Sequence, residues 1–235
     1  MKISVIVPFY NEEKNLFFFL KTWSKKINLL KKKQETYFDF YFIDDGSTDN
    51  SIKIINHSQY PLNKYILKKE NTGHGLTCKY GYEYIIKKKN YDYILQLDSD
   101  NQCDPRYLDL FLKKINAGKK FVFGNRNKRD DGYFRYLFSK LLRFIFFLRT
   151  GQTILDINCP YRMMKVNELK KIFKKINKNS KNKKIILFNS LLTHYIYKNS
   201  NISWINITFL KRKFGSSKYN LKMLFFQLYN LIKYV

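Results

Sequence analysis

The sequence has few of the residues that mark small metal-bound or disulfide-bonded proteins. Its 235 residues include three cysteines and three histidines, and no two cysteines have a C-x-x-C spacing. We therefore expect neither a zinc site nor a disulfide framework, and we expect reduced cysteines in an intracellular protein. Hydrophobic runs stay short of the roughly 18–20 residues that a spanning helix needs. The chain opens on a strand-like segment, so no signal peptide is expected.

Acidic residues are also scarce, with 18 Asp and Glu against 45 Lys and Arg, and the formal net charge is +27. Such a charge favours anionic partners, which include nucleic acid, an anionic membrane surface and phosphorylated substrates. Lys, Asn, Ile, Phe and Tyr are all abundant, so part of the lysine excess is equally consistent with a solvated surface. The hydrophobic content of 45% is enough for a sizeable core and argues against global disorder.

Strand-like and helix-like segments alternate along the first half of the chain. Apolar runs that predict strands cover residues 2–8, 38–43, 64–67, 93–97 and 121–124. Segments with apolar residues at helical spacing separate them. This alternation predicts an α/β fold with a doubly wound, mostly parallel sheet and helices on both faces.

The second half of the chain is less regular. We predict, in order, a charged turn at 126–135, an aromatic and cationic helix at 136–149, a short strand at 161–166, a Lys- and Asn-rich stretch at 170–184, a helix at 185–198, a strand at 202–209 and a final helix at 221–235. The helices at 136–149 and 221–235 are nearly apolar and flanked by Lys and Arg. That pattern suits either core helices or helices lying in a membrane surface.

Acidic side chains follow three of the predicted strands. Glu12 follows the first, Asp45 the second, and Asp98 and Asp100 the fourth. Parallel strands share one carboxyl edge, where open α/β sheets bind ligands, so one ligand is expected to reach all three turns. Two carboxylates followed by the amide of Gln102 suit a hard divalent cation that holds phosphates. Helix capping by the two aspartates is the alternative.

Six motifs in register resemble family-2 glycosyltransferases with the GT-A nucleotide-sugar fold. They are P-F-Y-N-E, D-D-G-S-T-D and L-D-S-D-N-Q at the acidic turns, then G-N-R-x-x-R-D-D-G-x-x-R-x-x-x-S (124–139), D-I-N-C-P-Y-R (156–162) and R-K-F-G-S-S-K (212–218). The last three are similar to the branch that includes dolichol-phosphate mannose synthase and bacterial polyprenyl-phosphate sugar transferases. The resemblance implies a glycosyltransferase domain at 1–219, with a nucleotide-sugar half at 1–125 and an acceptor half at 126–219, followed by an amphipathic helix at 220–235.

The resemblance also implies a role for each matching position. The positions of the nucleotide-sugar donor are Pro8, Tyr10, Glu12, Ile43, Asp45, Asp98, Ser99, Asp100, Arg126, Arg212 and Lys218. The positions facing the acceptor phosphate are Arg129, Arg135, Ser139 and Arg162. The metal ligands are Asp100 and Gln102, with Mg2+ or Mn2+ as the cofactor. The catalytic candidates are Asp100, Arg126, Arg129, Arg135 and Arg162.

The acceptor is predicted from a missing base. A sugar hydroxyl needs a general base to become a nucleophile, and many relatives supply an adjacent Glu–Asp pair on a late helix. This chain contains no adjacent Glu–Asp pair, and residues 187–194, where family members commonly carry Glu, include no acid. A lipid phosphate is already largely anionic near neutral pH and needs only cations to hold it.

We therefore expect an inverting, metal-dependent transferase that moves a sugar from a nucleotide-sugar donor to undecaprenyl or dolichyl phosphate. It is expected to be cytoplasmic and peripheral, in contact with the anionic inner face of a membrane. One alternative is transfer to a sugar hydroxyl in surface polysaccharide synthesis. A remote alternative is a non-catalytic basic protein that binds nucleic acid or anionic lipid. No nucleic-acid partner is expected, because such binding gives no reason for acids at three strand ends.

Overall fold

A computed structural model describes residues 1–31, 35–88, 90–129, 133–178 and 187–215. Its strands are β1 (Lys2–Phe9), β2 (Tyr37–Asp44), β3 (Asn63–Lys68), β4 (Tyr93–Gln96), β5 (Phe121–Arg129), β6 (Arg162–Lys165) and β7 (Ser203–Phe209). Its α-helices are α1 (Glu13–Lys31), α2 (Ser51–Asn56), α3 (His74–Lys88), α4 (Leu108–Asn116), α5 (Tyr133–Thr150), α6 (Val166–Lys178) and α7 (Phe188–Asn199). A short 3-10 helix, Pro105–Tyr107, precedes α4.

The strands form one seven-stranded sheet in the order β3-β2-β1-β4-β6-β5-β7. Parallel pairs join β3 to β2, β2 to β1, β1 to β4 and β5 to β7. Strand β6 runs antiparallel to both β4 and β5. Two core clusters cover the sheet, one involving α1 and α4 and the other involving α3, α6 and α7. The predicted mostly parallel sheet with helices on both faces is confirmed.

Helix α1 covers one face of the sheet because its apolar residues recur at helical spacing. Leu16, Leu20, Trp23 and Ile27 lie at intervals of three or four residues, and all four are buried. Strands β1 and β2 are buried along nearly their whole length, as expected for central parallel strands covered on both sides.

Helix α3 packs closely against the opposite face through Gly81. A Cβ added to this glycine would lie 2.2 Å from Cδ1 of Ile43 on β2 and 3.5 Å from the side chain of Ile6 on β1. The missing side chain therefore lets the helix approach the two central strands. This close packing sets the position of the β3–α3 loop above the sheet edge.

Strand β5 extends further than the sequence indicates. Residues 126–135 were expected to form a charged turn, but β5 continues to Arg129, and α5 begins at Tyr133. The extension is explained by pairing, because β7 lies parallel to β5 as far as the pair Arg129 and Phe209. Backbone pairing thus holds a charged segment in a strand despite its polar side chains.

The largest correction concerns residues 166–178. The sequence predicts only a Lys- and Asn-rich stretch at 170–184 between a strand and a helix, whereas α6 extends into it as far as Lys178. Its buried residues form a stripe that packs against α3 and α7, and they are Val166, Leu169, Ile172, Phe173 and Ile176. The lysines lie on the other faces of the helix, where they remain hydrated.

Within the described ranges, no helix has the length and apolar character needed to cross a membrane. The predicted helix at 221–235 lies outside the described residues. Both predicted halves of the chain contribute strands to the same sheet, while their assignment to donor and acceptor remains a prediction.

Candidate active site

The three acidic turns lie at neighbouring strand ends. Strand β1 lies between β2 and β4, so the chain leaves β1 towards β2 on one side and reaches β4 on the other. This is the reversal of strand order at which doubly wound sheets open a ligand crevice. Glu12 follows β1, Asp45 follows β2, and Asp98 and Asp100 follow β4. The predicted meeting of these turns at one edge agrees with the topology.

Asparagine side chains shape two of these turns. Asn11 and Asn101 have positive φ angles of 53° and 60°, a conformation that Asn adopts more readily than most residues. Asn11 also ties the first turn to the second, because its Oδ1 accepts a hydrogen bond of 2.8 Å from the backbone N–H of Thr48. Its own N–H donates to Oγ of Ser47 at 3.0 Å. The D-D-G-S-T-D motif therefore braces the turn that carries Glu12.

Asp45 is engaged by the β3–α3 loop. Its Oδ1 accepts hydrogen bonds from Lys69 Nζ and from the backbone N–H of Thr72, and its Oδ2 accepts one from the N–H of Gly73 at 2.9 Å. Burial raises the pKa of Asp45, but the hydrogen bonds from Lys69 and Thr72 outweigh it and hold that pKa below its ordinary value. Lys69 was not predicted, because nothing distinguishes it among the many lysines of the sequence.

Replacing Asp45 by Asn is expected to lower the free energy of unfolding by about 1–3 kcal/mol at pH 7, because charge-assisted hydrogen bonds are lost. The folded pKa lies below the unfolded one, so this contribution is present above the unfolded pKa, roughly 4, and disappears as the pH falls through the folded pKa. Denaturant titrations at pH 7 and in acid test this. A stability difference that persists in strong acid would rule out the carboxylate as its source.

The aspartates after β4 accept fewer hydrogen bonds from the described residues than Asp45 does. Oδ1 of Asp98 is buried, accepts no hydrogen bond from any residue in the described part of the chain, and lies 3.4 Å from Nε2 of His74. Burial and the charge of Asp98 raise the pKa of Asp100 to about 7. Two close carboxylates that destabilise each other fit a divalent cation, which would neutralise both. Among the described residues no third His, Cys, Asp or Glu joins them in a metal-binding group.

Gln102 has a structural contact that the sequence did not reveal. Its Nε2 donates a hydrogen bond of 2.6 Å to the carbonyl oxygen of Leu210, and its backbone carbonyl oxygen accepts one of 3.1 Å from the N–H of Leu210. The side chain, which is buried, thus anchors the chain after β7 to the turn after β4. Its role as a metal ligand remains a prediction.

Arg212 joins two of the acidic turns. Its Nη2 donates to both carboxylate oxygens of Glu12, at 2.6 and 2.7 Å, and its Nη1 lies 3.9 Å from Oδ2 of Asp100. A guanidinium from the segment after β7 therefore lies between the ends of β1 and β4. This cation is placed at the edge where the sequence predicts the donor phosphates.

Arg126 forms a bidentate ion pair with Asp156, the first residue of the D-I-N-C-P-Y-R motif. The Nε and Nη2 atoms of Arg126 donate to the two carboxylate oxygens at 2.7 and 2.8 Å. Its guanidinium also lies over the ring of Phe209, 5.1 Å from the centroid. The pair holds Arg126 in a fixed orientation at the end of the sheet that continues the acidic edge.

The prediction that Arg162 faces the acceptor phosphate is corrected. This residue is fully buried, and its guanidinium donates hydrogen bonds of 2.8–3.3 Å to the carbonyls of Cys159, Ile157 and Asn189 and to Oγ1 of Thr193. It holds the loop before β6 against α7. A guanidinium enclosed in this way is unable to touch a substrate.

Ile43 is part of the core. Its side chain is fully buried beneath Gly81, and its predicted place beside the donor remains a prediction. Its neighbour on β1, Pro8, is buried as well. Ser99 is buried in the turn after β4, and Tyr10 is half-buried after β1. The side chains of Arg129, Arg135 and Ser139, and the whole of Lys218, lie outside what the structure describes.

Comparison with known proteins identifies related sequences and folds. The model of Glycosyl transferase family 2 matches residues 4–189. The undecaprenyl-phosphate 4-deoxy-4-formamido-L-arabinose transferase of Photorhabdus laumondii subsp. laumondii is 27% identical over 234 residues, which are 98% of this chain and 67% of that protein.

Two solved structures share the fold. Glucosyl-3-phosphoglycerate synthase from Mycobacterium tuberculosis, in complex with Mn2+, uridine diphosphate and phosphoglyceric acid, superposes with a TM-score of 0.68 at 14% identity, covering 98% of this chain and 76% of that one. A structure of TarS from S. aureus gives a TM-score of 0.60 at 22% identity, covering 88% of this chain and 60% of that one. The chain thus spans from 60% to 76% of the length of these relatives.

Proposed function

The chain belongs to glycosyltransferase family 2, and from this premise we propose that it transfers a sugar from a nucleotide-sugar donor to a polyprenyl phosphate. The observation that carries the proposal is the convergence of the Glu12, Asp45 and Asp98–Asp100 turns at the reversal of strand order, with Arg212 between them. The name of the P. laumondii relative, an undecaprenyl-phosphate sugar transferase, supports the same acceptor.

The donor side is assigned to the acidic turns. Glu12 and Asp45 offer carboxylates for the hydroxyl and ring N–H donors of a nucleoside, and Arg212 offers a planar cation for its diphosphate. Asp100 and Gln102, beside Asp98, would hold Mg2+ or Mn2+, and the bound cation would neutralise charge that develops on the leaving diphosphate. Oδ1 of Asp98, which is buried and accepts no hydrogen bond from the described residues, supports a cation at this turn. A relative of the same fold was solved with Mn2+ and uridine diphosphate.

The acceptor side favours a phosphate as the nucleophile. Helix α7, where a general base is common in the family, contains no Asp or Glu. Asn189 of this helix is buried, and its Oδ1 accepts a hydrogen bond of 3.3 Å from the hydroxyl of Tyr82. A phosphate oxygen that is already anionic needs no proton removed before it attacks the anomeric carbon. Arg129 and Arg135, with Ser139, are the candidates to hold it, and Arg126 is a candidate for the donor phosphates.

The reaction is a single displacement. An oxygen of the lipid phosphate forms a bond to the anomeric carbon while the bond from that carbon to the nucleoside diphosphate breaks, and the electron pair leaves with the diphosphate. Attack from the face opposite the leaving group inverts the anomeric configuration. The contribution of the protein is to orient both phosphates and to stabilise charge on the leaving group.

Helix α5 presents a surface that suits a lipid acceptor. Large apolar side chains, each between 47% and 65% exposed, lie along one side of the helix. They are Leu137, Leu141, Phe144, Phe147 and Leu148. Lys140, on the same helix, is exposed as well. An apolar stripe accompanied by cationic side chains is typical of a helix that lies in an anionic membrane surface. We assign this helix to the cytoplasmic face of a membrane.

Replacing both Phe144 and Leu148 by Glu is expected to lower binding to phosphatidylglycerol-containing vesicles by at least about tenfold, because two large apolar groups no longer enter the lipid. Vesicle sedimentation measures this. Leu110→Glu on α4, which is 47% exposed, is the matched control and should bind as the wild type does. Equal binding by the double variant and the control would reject α5 as the membrane contact.

The proposed reaction is tested with purified protein, Mg2+ or Mn2+, a panel of radiolabelled nucleotide sugars, and undecaprenyl phosphate in detergent. One donor is expected to give a labelled product that partitions into organic solvent. If the label appears only on added oligosaccharides and undecaprenyl phosphate does not react, the acceptor is a sugar hydroxyl and the proposal is wrong.

A further inference from the structure

Asn15 lies between two parts of the candidate site that are far apart in sequence. It occupies the first turn of α1 and is buried, with 3% of its surface exposed. Its Nδ2 donates a hydrogen bond of 2.7 Å to Oε2 of Glu12 and one of 3.1 Å to the carbonyl oxygen of Phe214. One amide group therefore contacts both the turn after β1 and the chain after β7.

The chain after β7 is held at both ends. We call residues 210–215 the strap. At its start, Leu210 exchanges hydrogen bonds with Gln102. Near its end, the ring of Phe214 stacks on that of Phe18 of α1, with centroids 5.4 Å apart. The strap therefore crosses from the turn after β4 to the first helix, over the ends of β4 and β1.

The carbonyl of Phe214 and the carboxylate of Glu12 share two donors. The Phe214 carbonyl accepts from Asn15 and also from Nε of Arg212, at 2.7 Å. The Glu12 carboxylate accepts from Asn15 and from Nη2 of Arg212. These contacts close a ring in which Asn15 and Arg212 each bind the same two groups. The positions of Glu12 and Arg212 are thereby fixed relative to each other.

We propose that Asn15 is a positioning residue that couples Glu12 to the strap, so that the carboxylate and the Arg212 guanidinium are oriented together before a nucleotide binds. The inference rests on the proposed function for the identity of the ligand, a nucleoside diphosphate. An amide suits the position because its two N–H bonds serve a carboxylate and a carbonyl at once. An aspartate there would repel Glu12, and an apolar side chain would leave both acceptors without this donor.

The coupling is tested with Asn15→Leu, which removes both donated hydrogen bonds at similar volume, and with Asn15→Asp as a second variant of nearly the same shape. Ser24→Ala is the matched control, since it removes a hydrogen bond from a buried side chain of the same helix that does not reach the strap. Hydrogen exchange of the amides of residues 212–215 is measured in the ligand-free proteins. Isothermal titration with UDP, GDP and CDP in the presence of Mn2+ follows.

Both Asn15 variants are expected to raise the exchange rate of the strap amides by about tenfold, and to weaken binding of the nucleotide that the wild type prefers by about tenfold. Ser24→Ala should change neither. Strap exchange as slow in a folded Asn15 variant as in Ser24→Ala would overturn the inference, and so would faster exchange with unchanged nucleotide affinity. If the wild type binds none of the nucleotides, the proposed function fails, while the exchange rates still decide whether Asn15 couples the strap.

Discussion

Asp100→Asn is expected to lower the initial rate of sugar transfer by about a hundredfold or more. The turn after β4 places two carboxylates together, and the raised pKa of Asp100, about 7, reflects the burial and repulsion that a bound cation would relieve. A neutral amide holds a divalent cation less strongly and neutralises less of the charge that develops on the diphosphate. The rate is measured over a titration of Mg2+ and of Mn2+.

The substitution should leave the fold intact, because Asn can still accept the hydrogen bond that Oδ1 of Asp100 receives from the N–H of Gln102. Asp109→Asn is the control for loss of a carboxylate; this residue lies on α4, with 59% of its side chain exposed, in an ion pair with Lys26. Its transfer rate is expected to match that of the wild type. An Asp100→Asn protein with the wild-type rate at every metal concentration would remove the aspartate from the mechanism.

Arg162→Lys is expected to lower the free energy of unfolding by about 3 kcal/mol or more. Lysine keeps the positive charge but lacks the planar fork that serves three carbonyls and a hydroxyl inside the protein. Buried carbonyls left without a donor cost about 1–3 kcal/mol each, and the ammonium is buried without those partners. Urea unfolding followed by circular dichroism measures the loss.

Arg106→Leu is the control for removal of an arginine, because this side chain is 85% exposed in its pair with Asp104. Its effect on unfolding should stay within about 1 kcal/mol. The activity per folded molecule of Arg162→Lys should remain close to the wild-type value. A variant that unfolds like the wild type yet loses transfer would restore Arg162 to the acceptor site that the sequence resemblance implies.

The general architecture was accessible from the sequence because it depends on periodic patterns. Apolar runs of residues 2–8 and 38–43 predicted the central strands, and helical spacing of Leu16, Leu20 and Trp23 predicted α1. Glu12, Asp45 and Asp98 each follow one of the predicted strands. Because parallel strands share a carboxyl edge, the sequence also predicts that these residues meet. Local signals of this kind survive in a lysine-rich chain because burial still requires apolar faces.

The errors concern features that composition hides. The many lysines of α6 obscure a helix whose apolar residues are spaced for one buried face. The sequence also does not distinguish Arg162, which is buried, from the many exposed arginines and lysines. The partners of Arg162 come from residues 157–159 and from α7, and these contacts exist only once the sheet has formed.

The contacts within the site were the least predictable. Lys69 reaches Asp45 from the loop after β3, and Asn15 reaches Phe214 across 199 positions of sequence. Neither lysine nor asparagine carries a local signal for such pairing. The sequence indicates Arg126 as a phosphate ligand but gives no sign that Asp156 is its bidentate partner. Geometry, and not spacing, identifies these pairs.

In the proposed reaction the acceptor oxygen belongs to a phosphate, and no general base is required. The most direct test offers the protein undecaprenyl phosphate and undecaprenol side by side, with the same nucleotide sugar and Mn2+. Labelled lipid is expected from undecaprenyl phosphate alone, with the sugar attached in inverted configuration. Transfer to undecaprenol at a comparable rate, or a product of retained configuration, would contradict it.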